Sequence, residues 1–366
     1  MKITFCLKTA NHSGGNKVVA QYAERLAHRG HDVTIVVGPE PTPRFRRRVR
    51  ETVRAVIARR ALPRYERFPA SPLDQLPKVR VHRVSEARPF VNDDFPSADV
   101  VIATWWETAE WVAQLSPSKG AKAYFIQGLE STIDGMPEAR VEATLSLPLH
   151  PITIANFLVQ HLIEKHGVRD ISYVPNAIDL QHFDAPARDK QKTPTVACIY
   201  TGDLCIKGFD ITLAALREVH RQVPDLRVVC FGNSAPPEGL LPSYFAFTQR
   251  PPQQTIPSLY ASADVFAHGS RIEGFGLPIL EAMACHTPVV STPSGAAPEL
   301  LAEGRGHVLA SLDPSEMARA ILDVLSHSDD AWRQLSRRAH TYAHAYSLDA
   351  ATLRFEAALR SVIDAG

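Results

Sequence analysis

The chain lacks most of what would assign it to several common classes of protein. It has only five cysteines in 366 residues, Cys6, Cys198, Cys205, Cys230 and Cys285, an odd and scattered set with no C-x-x-C pair. That pattern excludes a disulfide scaffold and a cysteine-built zinc site, and the five read as reduced thiols. An excess of one charge is lacking too: 40 Lys and Arg against 39 Asp and Glu leave a net charge of +1, so no nucleic acid partner is expected. The longest apolar runs, such as residues 99–103 and 287–291, have strand length, far below the ~20 residues that a bilayer crossing needs. Residues 1–10 hold an apolar run broken at Lys8 and no small-residue cleavage site, so no export signal is expected and the chain is read as cytoplasmic. No G-x-G-x-x-G lies between the first strand and the first helix, which argues against a nicotinamide dehydrogenase.

What is present is a globular composition, 45% hydrophobic and 22% charged, in a chain long enough for two domains of roughly 150–200 residues. Helical spacing at residues 18–26 follows Gly14-Gly15 and leads to a strand at 33–37. Strands are read at 79–84, 99–103, 121–126 and 151–154, with a helix at 157–165. A second alternation gives strands at 196–200, 226–231, 264–268 and 288–292, separated by helical stretches. The expected architecture is α/β, two doubly wound Rossmann-like domains facing each other across a cleft. The first spans 1–177 and the second 178–344, with a C-terminal helix within 345–366 that rejoins the first domain.

One segment departs from this pattern. Residues 44–67 carry ten arginines against Glu51 and Glu66, a local charge of +8, with Phe45, Val49, Val53, Val56 and Ile57 along one helical stripe. Such a helix suits an anionic membrane surface, on the inner face of which the protein would be peripheral. The alternative is a solvated helix packed on the first domain by the same stripe.

The densest chemical signal is Ser270-Arg271-Ile272-Glu273-Gly274-Phe275-Gly276-Leu277-Pro278-Ile279-Leu280-Glu281-Ala282-Met283-Ala284. Its glycines let the backbone approach a ligand, and Pro278 suits the first turn of a helix whose N–H groups would face a diphosphate. Glu273 is expected before this helix and Glu281 in its first turn, one carboxylate at each end of a ligand. The arrangement E-G-F-G-L-P-x-x-E-A-M-A resembles glycosyltransferase family 4. Gly14-Gly15, Gly30-His31-Asp32-Val33, Val174-Pro175-Asn176 with Asp179, Lys207-Gly208, Tyr260 with Asp264-Val265-Phe266, and Pro288-Val289-Val290 extend the resemblance over most of the chain.

The resemblance implies the GT-B fold and retaining transfer of a hexose from a nucleotide diphosphate donor to a saccharide or lipid-linked acceptor, in polysaccharide or glycolipid assembly. It implies that Glu281 binds the ribose hydroxyls and Glu273 the transferred sugar. Lys207 and the N–H groups of Phe275, Gly276 and Leu277, in the loop with Gly274, neutralise the diphosphate. No protein nucleophile, metal or other cofactor is expected. Gly14 and Gly15 would approach the phosphates or the acceptor.

The sequence also departs from the family. Where relatives carry an Arg five residues before the motif lysine stands Gly202, or Asp203 with a shorter loop, and Arg271 is the candidate substitute cation. A usual His is replaced by Gln127, which hydrogen-bonds but does not titrate. A usual motif glycine is His286, discounted as a metal ligand because no partner stands at metal spacing; the acidic pair Asp93-Asp94 is discounted because it lies in a Pro-flanked loop and the resemblance implies a fold that usually works without a metal. Trp105 or Trp106, after a strand end, is the candidate sugar-stacking aromatic of the acceptor site. The alternatives are a non-catalytic GT-B binding subunit, an epimerase or glycogen- or trehalose-type synthase on the same architecture, and a transferase acting on a soluble small molecule.

Overall fold

The computed structural model describes residues 1–40, 70–202 and 204–365. The basic segment 44–67 and Asp203 lie outside the described residues. The first sheet contains β1 (Lys2–Leu7), β2 (Asp32–Val37), β3 (Arg80–Arg83), β4 (Val100–Ala103), β5 (Ala121–Ile126), β6 (His150–Thr153) and β7 (Ser172–Tyr173). Its spatial order is β3-β2-β1-β4-β5-β6-β7, and every pairing is parallel. The second contains β8 (Thr195–Ile199), β9 (Arg227–Gly232), β10 (Phe245–Gln249), β11 (Val265–His268), β12 (Val289–Ser291) and β13 (His307–Val308). Its order is β10-β9-β8-β11-β12-β13, again all parallel. Both orders reverse beside the first strand, and in such sheets ligands bind outside the carboxyl ends of the strands at that reversal.

Helices cover both faces, so the central strands are buried throughout: five of the six residues of β1 and all four of β4. The helices are α1 (Gly14–His28), α2 (Trp106–Ala113), α3 (Glu138–Thr144), α4 (Asn156–His166), α5 (Leu204–Lys207), α6 (Phe209–Gln222), α7 (Ile256–Ala261), α8 (Leu277–Ala284), α9 (Ala297–Leu300), α10 (Pro314–Ser326), α11 (Asp329–Ala343) and α12 (Leu348–Ala365). Ser13 caps α1, its hydroxyl accepting from the Asn16 N–H at 3.3 Å. Gly14-Gly15 thus form the first turn of α1, where the sequence reading has a loop before it. His286 has φ 57°, in the left-handed region where the resemblance expects a glycine.

Helix α12 buries Ala351, Phe355, Leu359 and Val362 along one face. It packs on the first domain, with the Phe355 ring 4.5 Å from Tyr22, 5.1 Å from Phe125 and 6.1 Å from Phe5 between centroids. The chain crosses between domains twice, and the crossings touch: the Ile178 N–H donates to the Tyr346 carbonyl at 3.0 Å. A second core lies in the second domain, where the buried Trp332 indole donates to the Asp264 carbonyl at 2.8 Å. The unexpected strands β7 and β13 have two residues each, and β10 is an edge strand with only partial burial. No helix among the described residues is long and apolar enough to cross a membrane. Phe355→Ala is expected to cost about 3–5 kcal/mol of stability by urea denaturation; a loss below about 1 kcal/mol would mean that α12 is not part of the first core.

Candidate active site

Two cavities of about 370 and 560 Å³ open where the sheets face each other, and Gly15, Gln127, Lys207, Glu273 and Gly274 line both. The smaller is bounded by Gly14, Val18 and Asn176 on one side and by residues 273–278 on the other. The larger runs along the first domain past Lys8, Trp105 and the turn 128–130. The domains approach so closely that a Cβ at Gly274 would stand 1.9 Å from the Gln127 carbonyl oxygen; within the first domain, one at Gly15 would stand 3.3 Å from the Gln127 side-chain nitrogen. Glycine at 274 is therefore required by contact across the cleft.

Glu273 is at the junction of the cavities. Its Oε1 accepts from Lys207 Nζ at 2.9 Å and lies 3.5 Å from His268 Nε2. Burial works to raise the Glu273 carboxyl, but His268 and Lys207 outweigh it and hold the group down at about 2. The three residues come from the loop after β11, the end of β11 and the end of α5, all at the carboxyl side of the second sheet. Behind Glu273, Gly276 takes φ 98° as the N-cap of α8, turning the chain so that the start of the helix opens into the smaller cavity.

Glu281 is one turn deeper than the sequence suggested, in the second turn of α8, whose first turn holds no acidic residue. Its Oε2 accepts from the Tyr260 hydroxyl at 2.7 Å. Burial pushes its carboxyl up to about 7, against the opposing pull of Tyr260 and of Lys17 from the other domain. Arg271 does not line either cavity: its guanidinium makes a bidentate pair with Asp210 at 2.7 and 2.6 Å. The arginine opposite Gly202 is thus not replaced by Arg271 in this arrangement. Gly202 itself has φ 81° and lines neither cavity, while neighbouring Thr201 lines the smaller.

The tryptophans separate. Trp105 lines the larger cavity, whereas Trp106 is 5% exposed and packs under the Arg140 guanidinium, 4.9 Å from its ring. Trp106 is a core residue rather than part of the cavity wall. His286 stacks on His340 with centroids 3.7 Å apart, away from the cleft, and burial first and His340 second push it down to about 4. Asp94 is bound by Arg88 at 2.7 Å. The sequence reading missed three residues. His268 and Asn176 line the smaller cavity. Glu130 lines the larger, accepts from the Tyr124 hydroxyl at 3.2 Å, and is pushed by burial up to about 8. Position at strand ends was the available signal for His268 and Glu130.

Two facing doubly wound domains, with a helix start, a lysine and a charged carboxylate gathered at the carboxyl ends of the second sheet, define the GT-B class of fold. Residues 13–148 match the family model of a glycosyl transferase 4-like domain, and residues 195–327 that of glycosyl transferases group 1. The chain belongs to this family, the GT-B glycosyltransferases of the family 4 kind. It is similar to the GDP-mannose-dependent alpha-(1-6)-phosphatidylinositol monomannoside mannosyltransferase of Mycolicibacterium smegmatis, 32% identical over 181 residues, 43% of this chain and 47% of that protein. The D-inositol 3-phosphate glycosyltransferase of Segniliparus rotundus is 30% identical over 237 residues, 58% of this chain and 53% of that protein. The chain spans about half the length of these curated relatives. Sucrose-phosphate synthase of Thermosynechococcus elongatus superposes with a TM-score of 0.71 over all of both chains at 19% identity, a likeness of fold.

The state of Glu281 sets a pH dependence. It keeps its proton to about 7 when folded and releases it near its ordinary 4.5 when unfolded, so this group's contribution to stability falls as pH rises through that window. Glu281→Gln is expected to remove that fall, gaining on the order of 1–3 kcal/mol at about pH 8 relative to about pH 5 by denaturant titration. An unchanged pH profile would mean that the carboxyl is not held neutral.

Proposed function

We propose that the protein is a retaining glycosyltransferase that moves a hexose from a nucleotide diphosphate donor to a saccharide or lipid-linked acceptor. The observation that carries this reading is the meeting of two cavities at Lys207 and Glu273. One cavity ends on a helix start suited to a diphosphate, and the other runs past the Trp105 ring, suited to a sugar. The second domain binds the donor and the first the acceptor.

In this reading the diphosphate lies against the N–H groups of Phe275, Gly276 and Leu277, and Lys207 turns from Glu273 to the leaving oxygen. These groups stabilise charge that grows as the bond from the anomeric carbon to phosphate breaks. An acceptor hydroxyl attacks that carbon from the leaving group's own face, and a phosphate oxygen takes the hydroxyl proton. No protein base is needed. Glu273, already ionised and fixed, accepts hydrogen bonds from the sugar hydroxyls, and Glu281 from the ribose. Gln127, Gly14 and Gly15 border the reacting groups from the first domain. The chemistry requires no metal or other cofactor.

The names of both relatives favour an inositol-containing acceptor, one of them lipid-linked, and that of the first favours GDP-mannose as donor. The phosphoinositol of the second is a soluble molecule, which supports the small-molecule alternative. The arginine-rich segment 44–67 favours the lipid reading, with the protein peripheral on an anionic membrane surface.

Lys207→Ala is expected to lower kcat for sugar transfer about 10²–10³-fold with the fold intact. A kcat within about threefold of wild type would remove Lys207 from the mechanism. Flotation with anionic liposomes is expected to recover the wild type but little of a variant with Arg46, Arg47 and Arg48 changed to Ser; equal recovery would refute the membrane reading.

A further inference from the structure

Outside the cleft, three ligating side chains converge on the first domain. Glu142 is on α3, and His161 and His166 are on α4. Both histidine Nε2 atoms lie 2.9 Å from the same oxygen, Glu142 Oε2, and the three ligand atoms are all within 4.8 Å of one another. The rings are 5.4 Å apart between centroids and tilted by 48°, so their nitrogens point to one spot. The surrounding bonds orient the set: His166 Nδ1 is 2.9 Å from Ser146 Oγ, and the other Glu142 oxygen accepts from the Ser131 hydroxyl. The side chains are 10–27% exposed, so solvent reaches the group.

We propose that Glu142, His161 and His166 bind a zinc-class divalent ion, with water as the fourth ligand. Two imidazoles and one carboxylate suit zinc and its transition-metal neighbours, whereas magnesium and calcium take oxygen ligands. Three protein ligands and an open position make a tetrahedral site, in which ligand atoms stand ~3.3 Å apart for bonds of ~2.0–2.1 Å. The two 2.9 Å separations from Glu142 Oε2 are shorter than this, so the side chains turn outward to seat the ion. Ser146 and Ser131 supply the outer bonds that fix a metal-binding imidazole and carboxylate. Sequence spacing hid this site, because Glu142 is 19 residues from His161 on a different helix. The bond from Ser131 also ties the site to the turn whose Leu129, Glu130 and Ile133 line the larger cavity. Metal binding therefore stiffens one wall of the cleft without touching the reacting groups.

The test is titration of the chelator-treated full chain with zinc chloride, followed by calorimetry and by thermal melting. Wild type is expected to take one equivalent more than His161→Ala, and its melting temperature to rise by several degrees where that of the variant does not. Cobalt chloride is expected to give visible ligand-field bands of a four-coordinate ion in wild type and His344→Ala that His161→Ala lacks, and magnesium chloride to change nothing. Glu142→Gln keeps an oxygen that accepts from both rings but loses the anionic ligand, and it serves if His161→Ala melts early. Asp184, His340 and His344 form another cluster of this kind, so His344→Ala is the control and keeps the equivalent lost in His161→Ala. Equal zinc stoichiometry and equal melting shifts in wild type, His161→Ala and Glu142→Gln would overturn the proposal.

Discussion

A carboxylate kept ionised inside the protein is the constraint around which the cleft is arranged. Removing a charge from water costs several kcal/mol, repaid only by close partners of opposite sign or by good hydrogen bonds. For Glu273 the partners are Lys207 and His268, and the balance leaves it charged, at about 2. The arrangement depends on the parallel topology. β8 and β11 are neighbours, so the residues that follow them emerge side by side: Lys207 after one, His268 and Glu273 at the end of the other. A diphosphate arriving here would meet a cation already held in the cleft by Glu273, from which Lys207 has only to turn to the leaving oxygen.

The second constraint is closeness. With Gly274 nearly against the Gln127 carbonyl, the two domains share a wall, and residues of that wall line both cavities. The return of α12 to the first domain and the paired crossings at Ile178 and Tyr346 hold the halves in this relation.

Much of this was legible in the sequence, for local reasons. Alternating apolar runs marked the central strands because parallel sheets bury both faces, and the glycines, Pro278 and Glu273 fell within one short stretch whose geometry is set by its own backbone. What was not legible depended on distant partners. Arg271 was a candidate because it lies close in sequence to the loop 273–277, yet Asp210 holds it from α6. Trp105 and Trp106 are indistinguishable as letters, and only the start of α2 turns one to the cavity and the other to the core. Glu281 was placed a turn too early because the helix begins at Leu277 rather than beyond it. The two-residue edge strands β7 and β13 are too short for any period to appear.

The central claim is that the cleft takes a nucleoside diphosphate through Lys207 and the start of α8. Calorimetric titration with GDP and UDP, and with the matching monophosphates, tests it most directly. The account predicts that one diphosphate binds at least tenfold more tightly than its monophosphate, and that Lys207→Ala removes the preference. Equal affinity for diphosphate and monophosphate, or no binding of either base, would contradict it.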